Sequence, residues 1–218
     1  MRLSNKGIIE IAEHEGIVPA PYRDSVGVMT FGVGHTAAAG GLDPREMNSA
    51  MPAGAALEAA IDRALIIFRD DVVKYENRVI DALRGTPVSQ HQFDALVSWD
   101  FNTGGASWRS KNTGAQAQLL QQVHRGDFSG DGFMGWLKPP ELRKRRTAEM
   151  NLFRTGNYDA NGTAVPIWGT DGRGNLRGRI RVMDGRELLK RMNRAEPTNG
   201  AAIPSFWRWL LSLLGAEK

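Results

Sequence analysis

The stretch SNKGIIEIAEHEGIVPAPYRDSVGVMTFGVGH, residues 4–35, decides how this chain folds. Ser4 carries the short oxygen-bearing side chain that caps a helix start, and Gly16 is the residue type that ends one in a left-handed conformation. Between them, stepping 100° per residue, Ile8, Ile11, Ala12 and Glu15 fall on one face. The spacing predicts a helix to about Glu15, with a carboxyl at the edge of an apolar stripe. Residues 17–20 read as a loop. The pattern then turns extended: Tyr22-Arg23-Asp24, a turn through Ser25-Val26-Gly27, and a returning strand over 28–33 rich in β-formers.

Outward from this start, residues 37–54 are rich in Gly, Ala and Pro and hold a short helix after Asp43-Pro44. Leu57, Ile61, Leu65, Phe68 and Val72 recur at helical spacing and predict a long helix over 55–83. Thr86-Pro87 breaks it. Ser89 and Gln92 form a capping-box pattern for a helix that sets Phe93, Leu96, Val97 and Phe101 on one face. Gly104-Gly105 ends that helix. Further helices are expected at 114–124 and, after Pro139-Pro140, at 140–154. Residues 164–168 and 176–183 read as a glycine-turned hairpin, and Asp184-Gly185-Arg186-Glu187 opens a helix to about Asn193. The fold class is α+β, predominantly helical. A small β-containing lobe, about 15–55, is joined by the long helix to a helical lobe, about 56–160, on which 1–14 packs. An extension at 161–194 packs on this domain; 195–204 form a polar linker and 205–218 a short aromatic tail.

Composition narrows the chemistry. The 218 residues contain no cysteine, which excludes disulfide frameworks, cysteine–zinc sites and thiol nucleophiles. The four histidines, at 14, 35, 91 and 124, lack the spacing of a helical metal motif, so neither metal nor cofactor is expected. The most apolar run, 206–214, is interrupted by Arg208 and is too short to cross a bilayer. No apolar leader precedes the first acidic residues, so the expectation is a soluble product made in the cytoplasm. The net charge of +4 is unevenly placed: residues 138–194 hold 14 Lys and Arg against 6 Asp and Glu. Such a basic half fits an anionic polymer, whether nucleic acid, anionic lipid or cell-wall glycan.

Glycosidic cleavage uses two carboxyl groups, one protonated and one ionised. Glu15, in the last helical turn beside apolar residues, has surroundings that favour its neutral form, as a general acid requires. Read alone it is more readily a solvated helix-end glutamate. Asp24 follows nine residues later beside the turn, and Thr30 lies six beyond on the returning strand. A hairpin can aim that carboxylate and hydroxyl at one water. Read alone, Asp24 is a turn aspartate.

Together these residues resemble the catalytic signature of the phage-type lysozymes, glycoside hydrolase family 24. The match lies in Glu15-Gly16, eight residues to Asp24, five to Thr30, then Thr30-Phe31-Gly32-Val33-Gly34-His35. Gln92-Phe93-Asp94-Ala95-Leu96-Val97-Ser98 with Phe101-Asn102-Thr103-Gly104 is similar to that family's central helix. Trp136, Arg145-Arg146, Glu149 and Phe153-Arg154-Thr155-Gly156 follow in the order of its C-terminal lobe. The similarity covers roughly residues 5–160. It implies a lysozyme-like two-lobe fold and inverting hydrolysis of the β-1,4 bond between N-acetylmuramic acid and N-acetylglucosamine in peptidoglycan.

The resemblance implies Glu15 as proton donor, Asp24 as the carboxylate that activates water and Thr30 as a second water ligand. Gly32, His35, Phe101, Asn102 and Arg145 would bind substrate or support the site. Arg145 is implied beside the glutamate, although Arg143-Lys144-Arg145-Arg146 by itself reads as a solvated basic face. His35 would buttress the hairpin, and Phe101 reads as core more than as sugar platform. The expected biology is a phage or prophage endolysin, monomeric, acting on the wall after release by a holin or another route. Alternatives are a host wall-remodelling muramidase and a glycan-binding or regulatory protein that kept only the fold. The basic segment lacks a nucleic-acid motif, so no nucleic-acid partner is expected. The tail offers an aromatic face to anionic envelope lipid.

Overall fold

The computed structural model describes residues 1–104, 108, 116–158 and 164–194; the expected linker at 195–204 and the aromatic tail lie outside the described residues. Ser4 Oγ accepts the Gly7 amide at 3.0 Å and starts α1 (Asn5–Glu15), which Gly16 closes at φ 71°. The helix start is also tied to another helix. Asp94 accepts from the Ser4 hydroxyl, from the Ser4 amide at 3.2 Å and from Tyr158 at 2.7 Å. A Cβ on Gly7 would lie 2.7 Å from Asp94 Cγ, so this close approach requires glycine.

The small lobe is a three-stranded antiparallel sheet, β1 (Val18–Arg23), β2 (Met29–Gly32) and β3 (His35–Thr36), in that order. Tyr22 pairs with Thr30, and Thr30 with Thr36. β1 begins at Val18, which corrects the expected loop at 17–20. Pro19 and Pro21 are tolerated because β1 has β2 on one side only and its register shifts between Val18 and Tyr22.

The long helix is α2 (Gly54–Leu83), and the capping box of Ser89 and Gln92 opens α3 (Gln90–Thr103), which ends at Gly104 in the left-handed region. α4 (Gln118–His124) starts four residues later than its predicted limit; Gln116 and Ala117 are not helical. α5 (Leu142–Thr155) follows and packs on α3. One buried core runs through both lobes, joining Ile11 of α1, Phe31 of β2, Phe68 of α2 and Phe93 of α3. At roughly 1.5–3 kcal/mol per large buried apolar side chain, this shared core is what holds the lobes as one unit.

The remaining chain forms a hairpin, β4 (Ala164–Thr170) and β5 (Leu176–Asp184), and α6 (Gly185–Arg194). Val165, Ile167 and Met183 are fully buried in the same core. The hairpin is locked to the main body by backbone bonds: Ile17 N–H to Pro166 O at 2.8 Å, Trp168 N–H to Ile17 O at 2.9 Å, and Arg23 N–H to Gly174 O at 2.8 Å. Arg191 of α6 reaches Glu58 at 2.6 Å and Asp62 at 2.9 Å on α2. No helix among the described residues is long and apolar enough to cross a membrane.

Candidate active site

Four elements meet at Glu15. It is the last residue of α1, and its Oε1 accepts from Arg145 Nη1 of α5 at 2.5 Å. A Cβ on Gly34, in the β2–β3 turn, would fall 3.7 Å from Glu15 Oε2 and 3.3 Å from the Phe101 ring of α3. Gly34 has φ 72°, so glycine both permits the turn and leaves the carboxyl room.

The basic run on α5 is not a solvated face at this point. Arg145 is 9% exposed and Arg146 fully buried. Arg145 Nε donates to Glu149 Oε1 at 3.0 Å, while Arg146 Nη1 lies 2.6 Å from Glu149 Oε2. Ser98 Oγ donates to the same Glu149 Oε1 at 2.9 Å, and Arg145 Nη2 reaches the Ser98 carbonyl at 3.3 Å. Burial opposes the Arg145 charge, but Glu15 and Glu149 outweigh it and hold the guanidinium above its ordinary value. Burial pushes the Glu149 carboxyl up, against the pull of both arginines. Arg145 therefore fixes Glu15 through a buried relay to Glu149 and Ser98. Arg146 completes it by donating to Asn102 Oδ1. Glu149, Arg146 and Ser98 were quoted in the family resemblance without a role. The signal for one was in the sequence: Glu149 lies three and four residues after Arg146 and Arg145, one helical turn.

Asp24 closes the β1–β2 turn. Its Oδ1 accepts the Val26 amide at 2.9 Å and the Val28 amide at 2.8 Å, while Oδ2 has no hydrogen bond among the described residues. Thr30 is buried, and its hydroxyl donates to Val28 O at 3.1 Å. Tyr22 is the ladder partner of Thr30. Burial pushes its phenol up, and the Glu15 and Asp24 carboxylates push it the same way.

The other candidates support this frame. Gly32 has φ 64° and lies where a Cβ would come within 2.9 Å of Ala64 Cβ, so it seats β2 on α2. His35 is buried; its Nε2 donates to Leu42 O at 2.8 Å, and its Nδ1 lies 2.7 Å from Asp71. Both ring nitrogens are engaged, which braces β3 against α2. Phe101 is 9% exposed and meets Phe68 edge-on at 5.7 Å, a core residue at the rim of the site. Among the described residues no cluster of His, Asp and Glu could hold a metal ion.

His14 is the preceding residue on α1. Burial, then the charges of Arg145, Arg146 and Lys144, depress its pKa from 6.5 to about 3. Its imidazole is thus neutral beside the cationic helix α5. A cavity of about 590 Å³ opens beside Glu13, His14 and Glu15, with β4 and β5 on its other side.

Comparison with known proteins gives the family and the fold. The phage lysozyme family model matches residues 12–149. The endolysin of Salmonella phage P22 is 31% identical over 159 residues, covering 70% of this chain and 98% of that protein. The endolysin of Bacillus phage B103 is 31% identical over 165 residues, covering 72% of this chain and 55% of its own length. Among solved structures, the endolysin from Escherichia coli O157:H7 phage FAHEc1 superposes with TM-score 0.55 at 25% identity, over 72% of this chain and 96% of that one. The active form of the P1 phage endolysin shares the fold at TM-score 0.54 and 23% identity, over 72% and 86% of the two chains. With the matched segment holding Glu15, Asp24, Thr30 and the Arg145–Glu149 relay, the chain belongs to the phage lysozyme family.

Proposed function

We propose that this protein is a muramidase of the endolysin type that hydrolyses peptidoglycan, cleaving the β-1,4 bond between N-acetylmuramic acid and N-acetylglucosamine with inversion. The observation that carries the reading is the seating of Glu15 at a helix end, held by Arg145 and facing the glycine turn. Asp24 and Thr30 lie on the adjoining hairpin. In this reading the Glu15 carboxyl gives its proton to the glycosidic oxygen as the bond to the leaving sugar breaks. A water held by Asp24 and Thr30 attacks muramic acid C1 from the opposite face, and Asp24 takes its proton. Arg145 is a positioning residue that keeps the Glu15 carboxyl aimed. The protein acts as a monomer, made in the cytoplasm and released to the wall by a holin-type route.

The test is product analysis in heavy-oxygen water. Mass spectrometry should place the label on muramic acid C1, and proton NMR of the first product should show the α-anomer. Label on the other side of the bond, anhydromuramic ends, or a β-anomer would overturn the assignment.

A further inference from the structure

The matched family segment stops at residue 149, yet β4 and β5 build one wall of the cavity that holds Glu15. That wall has a regular origin. Along β4, Val165 and Ile167 turn into the core and are fully buried, while Ala164, Pro166 and Trp168 alternate onto the other face and line the cavity. Arg179, the ladder partner of Trp168, lines it as well.

The hairpin is docked tightly where this matters. Backbone bonds on both sides of Ile17 fix β4 two residues after Glu15. A Cβ on Gly16 would stand 2.6 Å from Trp168 Nε1, so the indole rests against the end of α1. The charges on β5 are arranged unevenly. Arg177 pairs with Asp171 at 2.9 Å and Arg181 with Glu58 at 2.7 Å. Arg179 lies between them, is exposed, and forms no hydrogen bond or ion pair among the described residues. A half-buried indole beside an uncommitted guanidinium offers a stacking face for a pyranose and a fork for a carboxylate.

We infer that the hairpin adds a substrate subsite beside Glu15, in which Trp168 stacks on a sugar ring and Arg179 binds a carboxylate of the stem peptide carried by the muramyl residue. The inference rests on the muramidase reading, because the anionic groups that hang from the muramyl residue of that glycan are carboxylates of the stem peptide, whose attachment ties up the lactyl carboxyl as an amide.

The experiment compares wild type, Arg179→Ala and Arg179→Lys on native sacculi and on sacculi whose carboxylates have been amidated with carbodiimide. An exposed charge pair worth up to about 1 kcal/mol corresponds to roughly a three- to fivefold change in KM. Arg179→Ala should raise KM by that factor on native sacculi with kcat unchanged, and Arg179→Lys should recover part of it. Wild type on amidated sacculi should show the same rise, and Arg179→Ala no further one. Trp168→Leu should raise KM on both substrates alike, because stacking ignores the charge. Equal KM for Arg179→Ala and wild type on native sacculi, or an equal loss on both substrates, overturns the subsite. If wild type releases no reducing ends, the muramidase reading fails instead. Calorimetric binding of muramyl dipeptide, weaker to Arg179→Ala than to wild type or unchanged, then decides the subsite by itself.

Discussion

Replacing Arg145 by Ala removes the donors to Glu15, Glu149 and the Ser98 carbonyl together. Glu149 is completely buried and would keep Arg146 as its ion-pair partner. Truncating one member of a buried ion group costs about 3–5 kcal/mol, since the remaining charges stay desolvated. In a chain of this size each kcal/mol lowers the midpoint by about 2–4 °C, so the loss should be roughly 6–20 °C by calorimetry. The pair between Arg45 and Asp43 is an internal control with the same 2.5 Å separation. Arg45 is 68% exposed on its side chain where Arg145 is 9%, so Arg45→Ala should leave the midpoint nearly where it was. Arg145→Lys should fall between, because a single ammonium cannot serve both carboxylates as the guanidinium fork does. Equal small losses for Arg145→Ala and Arg45→Ala would refute the claim that the relay is a buried structural unit.

Three other outcomes can be measured, two from single positions in the fold and one from the sequence of the aromatic tail. Gly32→Ala should destabilise by about 2–5 kcal/mol, from a left-handed backbone and a Cβ driven onto Ala64, and a denaturant midpoint within error of wild type would contradict this. His14 has a native pKa of about 3 against 6.5, so the unfolded chain binds more protons between these values and stability rises with pH across that window. His14→Gln should flatten the wild-type slope between pH 3 and 6.5 despite the nearby Glu10, and superimposable pH–stability curves would refute it. Deleting residues 205–218 should lower lysis of intact outer-membrane-bearing cells and spare activity on purified peptidoglycan. A parallel loss of both with a lower midpoint would make the tail part of the folded body.

What could be read from the sequence was local. Ser4, Gly16, Ser89, Gln92 and Gly104 act within a few residues of themselves, and each caps the helix end its type predicts. The limits of β1 were not legible because prolines at 19 and 21 suppress the strand pattern. The bonds that extend the strand's neighbourhood come from Pro166 and Gly174, some 150 residues away. Arg145 and Arg146 sit in a run of four basic residues, and the one local sign that separates them from Arg143 and Lys144 is Glu149, one helical turn further on. Their burial is decided by Glu149 on their own helix together with Ser98, Asn102 and Glu15 from two others. The cavity wall was out of reach for the same reason: strand alternation at 164–168 shows a face, and only the docking of β4 on Ile17 says what it faces.

The central claim is that Glu15 delivers the proton that lets the sugar leave. The measurement is the release of reducing ends from purified peptidoglycan by wild type and Glu15→Gln at matched concentration, with thermal midpoints recorded for both. The amide keeps the shape of the side chain and can still meet Arg145 through its carbonyl oxygen, but it has no acidic proton to give. General acid catalysis is worth about 10²–10⁴-fold, so the variant should fall by at least about a hundredfold with its fold intact. A folded Glu15→Gln that keeps more than about a tenth of the wild-type rate would contradict the account.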